Sequence, residues 1–179
     1  MAAFLGEGNL RAAPLEALEC LKRPASRGPL PPVRVFAQRD ELGLDLPELL
    51  RATRRYFDAT LEVQSRTDSG DSVQVLLRSE KYDYEGVLSI HSRKTSAEDL
   101  AAARQAEERG RAAGMSDLAA RCPTIWEVDS VGVDCELARL NLCGILASVA
   151  LGPVLPDDGS TLYGIRGAME RVEKLLRAR

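Results

Sequence analysis

His91 is the only histidine in the chain, and it stands beside Ser92 and Arg93 at the end of a predicted strand. Imidazole is the usual general acid, base or metal ligand near neutral pH, so any such chemistry would have to pass through this residue. The four cysteines, Cys20, Cys122, Cys135 and Cys143, have no C-x-x-C spacing. One histidine and scattered cysteines do not make an ordinary structural zinc site. A cysteine nucleophile needs a base. Cys122 falls at a helix-to-strand junction, and His91 is its only imidazole partner. Cys135 and Cys143 fall on an apolar helix and Cys20 on an N-terminal arm, where a free cysteine behaves as a small hydrophobe.

Carboxylates are the other reactive groups. Glu127 and Asp129 alternate with Trp126 and Val128 along one strand, so both acids face the same side, as a proton-transfer pair or half a metal site would. No third ligand stands at a recognisable spacing, and the solvent face of an outer strand explains the pair as well. Asp157-Asp158-Gly159 lacks the alternating oxygen ligands and terminal Glu of a calcium loop and reads as a hairpin turn. Gly6-Glu7-Gly8 has no third glycine and opens no strand-to-helix unit, so no dinucleotide or Walker fingerprint is present. Nor does the sequence contain a nucleophile elbow or a metalloprotease helix. No catalytic, metal or cofactor-binding residue is assigned, and no cofactor is expected.

Two patches suit recognition instead. Glu80-Lys-Tyr-Asp-Tyr-Glu85 joins two strands with Tyr82 and Tyr84 set among charges, the mixture that favours protein interfaces. Arg51, Arg54 and Arg55 cluster on one helix, although Glu48 and Asp58 stand nearby and the helix dipole favours late basic residues. With three Phe, four Tyr and one Trp, the strands offer no aromatic stacking platform, and nucleic-acid binding is not expected.

The elements that must position these groups follow from periodicity. Residues 1–32, rich in Gly, Ala and Pro, read as an N-terminal arm with a short helix over 15–22, and residues 33–179 as a single domain. Val33–Ala37 alternates like a strand; Asp45, Pro47 and Glu48 then start a helix running to about Phe57. Thr60–Ser65, Ser72–Ser79 and Gly86–His91 predict an antiparallel meander with Val73, Val75 and Leu77 on its core face. Thr95-Ser-Ala-Glu-Asp99 opens a helix to about Ala113, closed by Gly114, with Leu100, Ala103, Ala106 or Glu107, Gly110 and Ala113 inward, and Glu107 and Arg111 spaced to form an ion pair outside. A short helical turn around 116–120 leads to a strand at 124–128. Asp134 caps a helix ending near Ala150 that carries no charge from Leu140 to Leu151, so it must be covered on more than one side. It would serve as a central core helix or as a homodimer interface. A hairpin, 153–155 with 161–163, precedes an amphipathic helix from Ile165 with Ile165, Ala168, Met169, Val172, Leu175 and Leu176 inward.

Composition agrees. The chain of 179 residues carries 24 basic and 27 acidic residues and is 45% hydrophobic, which fits one globular core and gives no net field toward nucleic acid or an anionic membrane. No apolar run approaches the roughly 20 residues of a membrane span. The start lacks the basic and apolar parts of a signal peptide, so a reducing cytoplasm is expected.

The expected fold is therefore α+β: a two-layer sandwich of a mainly antiparallel sheet, five to seven strands, with about four helices. The expected function is non-enzymatic binding of a partner protein, of the adaptor, chaperone or immunity kind, through Tyr82, Tyr84 and Arg55. The alternatives are a small enzyme or ligand-binding domain with an acid and His91 pocket and, less favoured, a nucleic-acid binder through Arg51, Arg54 and Arg55.

Overall fold

A computed structural model describes residues 32–40, 42–132 and 135–178. The arm with its helix over 15–22, and Asp134, lie outside the described residues. The order of elements is β1 (Val33–Ala37), α1 (Leu46–Tyr56), β2 (Thr60–Arg66), β3 (Ser72–Ser79), β4 (Tyr84–Lys94), α2 (Ala97–Gly110) and α3 (Met115–Ala120). There follow β5 (Thr124–Ser130), α4 (Glu136–Ala150), β6 (Val154–Leu155) and α5 (Ile165–Arg177). The six strands form one antiparallel sheet in the order β2-β3-β4-β5-β1-β6. Six strands and five helices make the α+β sandwich that the periodicity predicts.

Strand alternation separates two packed faces. On one, Val35, Val73, Val75, Leu77, Leu88, Ile90, Trp126 and Val128 are buried with residues of α1, α4 and α5. On the other, Phe36, Ile125 and Leu155 pack with Ala103, Ala106 and Ala119 of α2 and α3. The small residues of α2 let its backbone lie close to the sheet, and the pair α2–α3 covers the β5-β1-β6 half of this face.

Helix α4 is enclosed. Its residues from Leu137 to Ala150 are buried except Leu140 and Ser148, which settles the uncharged stretch as a core helix between α1, α5 and the sheet. Two glycines allow the close approach. A Cβ on Gly86 of β4 would stand 2.8 Å from Ala138 Cβ, and one on Gly144 would stand 2.9 Å from the Phe57 ring and 3.1 Å from Ala168 Cβ.

Several expectations are corrected by local competition. Helix α2 ends at Gly110 with Arg111 left-handed, and Gly114 instead starts α3. The reason is Glu107, whose carboxylate accepts the N–H groups of Gly114 and Ser116 at 2.5 and 2.8 Å rather than pairing with Arg111. The C-terminal hairpin shrinks to one bridge between Val154 and Tyr163 because Val154–Leu155 pairs with β1 and becomes the sheet edge. On α5, Ala168 and Val172 are buried, but Ile165 and Met169 are 37% and 42% exposed at the margin of the contact with α4. The first residue flanking α4 is Cys135, with no side-chain cap.

A four-residue ionic network ties α2 to the sheet. Asp99, 2% exposed, sits in the first turn of α2 and closes a capping box with Ser96. Its carboxylate accepts two hydrogen bonds from Arg93 of β4, at 2.6 and 2.8 Å, and lies 3.3 Å from Arg34 of β1. Arg93 also pairs with Glu127 of β5 at 2.7 Å. Burial alone would raise the Asp99 pKa; the bonds from Arg93 and Ser96 outweigh it and hold the carboxyl well below the usual carboxylate range.

Breaking a buried ion pair by removing one partner costs about 3–5 kcal/mol. Asp99→Asn should lose about that much in urea unfolding at neutral pH. Because the folded carboxyl titrates below the unfolded one, the contribution is complete above about pH 4–5 and fades as pH falls further. The gap between wild type and variant should therefore narrow in acid; a gap that stays constant down to about pH 3 would show that the charge is not responsible.

Candidate functional site

Cross-strand register places the acid and imidazole candidates side by side. His91 stands opposite Glu127, Glu127 opposite Arg34, and Ser89 opposite Asp129. All project from the sheet face that carries α2. The arrangement nevertheless does not assemble a proton-transfer dyad. Glu127 is engaged by Arg93, whose Nε donates to it at 2.8 Å, and His91 is exposed on the part of the sheet that no described helix covers. The Asp129 carboxyl is raised, first by burial and then by Glu127, with Arg139 opposing. It is exposed rather than set in a cleft.

The thiols are quiescent. Burial pushes Cys122 up to about 11 and Cys143 up to about 12, so both stay protonated at neutral pH. Cys135 is buried too, and Cys20 lies outside the described residues. Among the described residues no group of three His, Cys, Asp or Glu side chains could hold a metal ion. Asp157-Asp158-Gly159 forms the expected turn: Asp158 accepts the Ser160 N–H at 2.9 Å and Gly159 is left-handed. Asp157 turns inward and pairs with Arg139 of α4 at 3.3 Å, with both side chains nearly buried. Sequence reasoning missed this pair, since one member looked like a turn residue and the other like the last charge before an apolar run.

The structure brings the recognition candidates to one end of the sheet. An open basin of about 470 Å³ lies between the C-terminal end of α1, the start of β2 and the β3–β4 loop, lined by Arg54, Asp58, Thr60, Arg78, Glu80 and Lys81 among others. Asp58, left-handed at φ 46°, ends the turn from α1 into β2. Its carbonyl accepts the Ser79 hydroxyl at 2.9 Å and its carboxylate accepts from Lys81 at 2.6 Å. That hydrogen bond, followed by the one to Tyr82, raises the Lys81 pKa. The Lys81 ammonium also lies 5.0 Å from the centroid of the Tyr82 ring, a cation–π distance. Arg54 has no partner among the described residues, whereas Arg78 is joined to Glu62 at 2.9 Å.

The two tyrosines separate. Tyr82 is half-buried, with part of its ring available at the rim. Tyr84 is 6% exposed and packs into the main core, and burial raises its phenol well above the ordinary value. Arg55 is exposed on α1, one position from the basin-lining Arg54, and unlike Arg54 it has a partner within the fold. Arg51 is likewise exposed on α1. The basin itself was missed by sequence reasoning, because Arg54, Asp58, Arg78 and Lys81 come from three separate segments.

The separation is measurable. Tyr84→Ala should cost about 3–5 kcal/mol in urea unfolding, as deletion of a buried aromatic does. Tyr82→Ala should cost less than about 1.5 kcal/mol, since the ring leaves no enclosed void. Equal losses at the two positions would remove Tyr82 from the accessible rim.

No family model, no curated protein and no solved structure matches the chain.

Proposed function

We propose that this chain is a non-enzymatic protein-binding domain, of the adaptor, chaperone or immunity kind, that recognises a partner protein through the β3–β4 loop and the adjoining sheet rim. The observation that carries the reading is the basin. It gathers Arg54, Lys81 and Glu80 in an open concavity, and Tyr82, a partly apolar ring, adjoins it with its centroid 5.0 Å from the Lys81 ammonium. That is the pairing of aromatic and arginine anchors with polar surroundings from which interfaces draw most of their energy. The recognition residues are Tyr82, Arg54 and Arg55, while Tyr84 supports the loop from beneath.

The surface chemistry favours protein over nucleic acid. Around the basin, cations alternate with carboxylates, Lys81 with Asp58 and Arg78 with Glu62, and such a mixed field suits another mixed surface better than a line of phosphates. A second copy of the chain is one candidate partner. Since α4 is enclosed, a homodimer would use another face. The proposed setting is the cytoplasm, where the buried thiols of Cys122, Cys135 and Cys143 would remain reduced. No described helix is long and apolar enough to cross a membrane.

The test is site-specific photo-crosslinking in the native host. A benzophenone amino acid at Tyr82 or Arg54 should yield a discrete adduct of defined mass, and the same group at Glu173, on the far exposed face of α5, should not. Adducts of equal yield at all three positions, or at Glu173 alone, would refute the rim as the recognition surface.

A further inference from the structure

The two edges of the sheet differ. β6 has two residues, and its Val154 is bridged by Tyr163. β2 has seven residues, all exposed except Leu61. Beyond its ladder with β3, no backbone hydrogen bond among the described residues involves residues 60–66. An edge strand offers outward N–H and C=O groups as a ready template for another strand. The register with β3 runs regularly from Thr60 to Val63 and then slips between Val63 and Ser65. That bulge twists the far end of the strand out of line and leaves a four-residue template at its start. Thr60, at this start, also lines the basin.

We propose, resting on the protein-binding reading above, that β2 accepts the extended C-terminal segment of a partner protein as a seventh strand, with an acidic end seated in the basin. Every neighbouring pair in this sheet is antiparallel, and an antiparallel strand on β2 runs toward Thr60, so its C-terminal end arrives where Arg54, Arg78 and Lys81 stand. The three cations of the basin, Arg54, Arg78 and Lys81, outnumber its two carboxylates, Asp58 and Glu80, so charge complementarity selects an acidic end. Arg54 has no partner among the described residues, and the pairs Arg78–Glu62 and Lys81–Asp58 are solvent-exposed; such pairs exchange partners at little cost. With about 3.3 Å per residue, four residues pair with Thr60–Val63 and the last two reach into the basin. Val63, 41% exposed, gives the incoming strand an apolar cross-strand neighbour.

The experiment uses the full chain and fluorescein-labelled hexapeptides read by anisotropy. The probe Thr-Val-Thr-Val-Asp-Glu with a free carboxylate should bind at least about tenfold more tightly than amidated Thr-Val-Thr-Val-Gln-Gln, the effect of one charge-assisted hydrogen bond. Arg54→Glu, an exposed change whose folding is verified by circular dichroism, should abolish the preference, and added salt should reduce it. N-methylation of the peptide at alternate amides should abolish binding. Failure of the acidic probe to bind, equal binding of both probes, a preference that survives Arg54→Glu, or binding that tolerates N-methylation would each overturn the proposal. So would a dimer, seen by light scattering and dissociated by Val63→Lys, that binds no peptide, since the edge would then belong to a second copy. Crosslinking at Tyr82 that succeeds while the peptides fail would leave the rim as a recognition surface with a partner of another shape.

Discussion

The carboxylate of Asp99 decides how the sheet is divided. Taking an acid from water into a protein is costly unless its charge and its lone pairs are met. Here two arginines from different strands and the Ser96 cap meet them. Counting Glu127, the four charges sum to zero, and they join β1, β5 and β4 to the first turn of α2. The network therefore acts as a register pin as much as a source of stability. Helix α2 can dock only where its N-terminus reaches that spot, which places it and α3 over the β5-β1-β6 half of the sheet. The remaining half of that face, on β2, β3 and β4, is left without a helix among the described residues.

The opposite face shows what a fully covered sheet demands. Helix α4 must be apolar nearly all round because it meets the sheet on one side and α1 and α5 on the others. Glycine at positions 86 and 144 removes the side chains that would hold these layers apart. Two polar side chains of α4 are answered within this layer: Asn141 donates to the Leu137 carbonyl at 3.0 Å, and Arg139 meets Asp157. The second pair ties α4 to the turn after β6, so the short edge strand is held from behind. One edge of the sheet is thus closed by local contacts, and the other, β2, is open among the described residues except for its bulge.

Most of this architecture was legible in the sequence because it rests on short-range signals. The Asp45 cap and the alternation of Val73, Val75 and Leu77 each lie within a few residues, and the structure returns α1 and β3 at the expected places. The uncharged run from Leu140 to Leu151 correctly demanded cover on several sides. What was illegible came from distance. Glu107 reaches seven and nine residues ahead to Gly114 and Ser116, which overrides the local ion pair with Arg111. Asp99 looked like a helix-start acid, and nothing near it announced Arg34, 65 positions away. Tyr82 and Tyr84 look alike in a loop of charges, yet two positions along a strand start are enough to send one ring to the rim and the other to the core. The basin follows the same rule, since its cations come from α1, β3 and the loop after it.

The division made by Asp99 also bears on where recognition can occur. A surface that binds a partner needs a rigid frame and some backbone or side-chain capacity left over. The β5-β1-β6 half has the frame but little capacity: its face is covered by α2 and α3, and its edge is closed by Tyr163. The β2-β3-β4 half keeps both. Its strands are held to the core by Leu61, Val73, Val75, Leu77 and Leu88 on one side, while no element among the described residues covers the other side or the outer edge. The strained turn at Asp58 and the loop of Lys81 and Tyr82 then close one end of that half into a concavity. Among the described residues, rigidity on one face, free hydrogen-bonding groups on the edge and a charged hollow at its end coincide there.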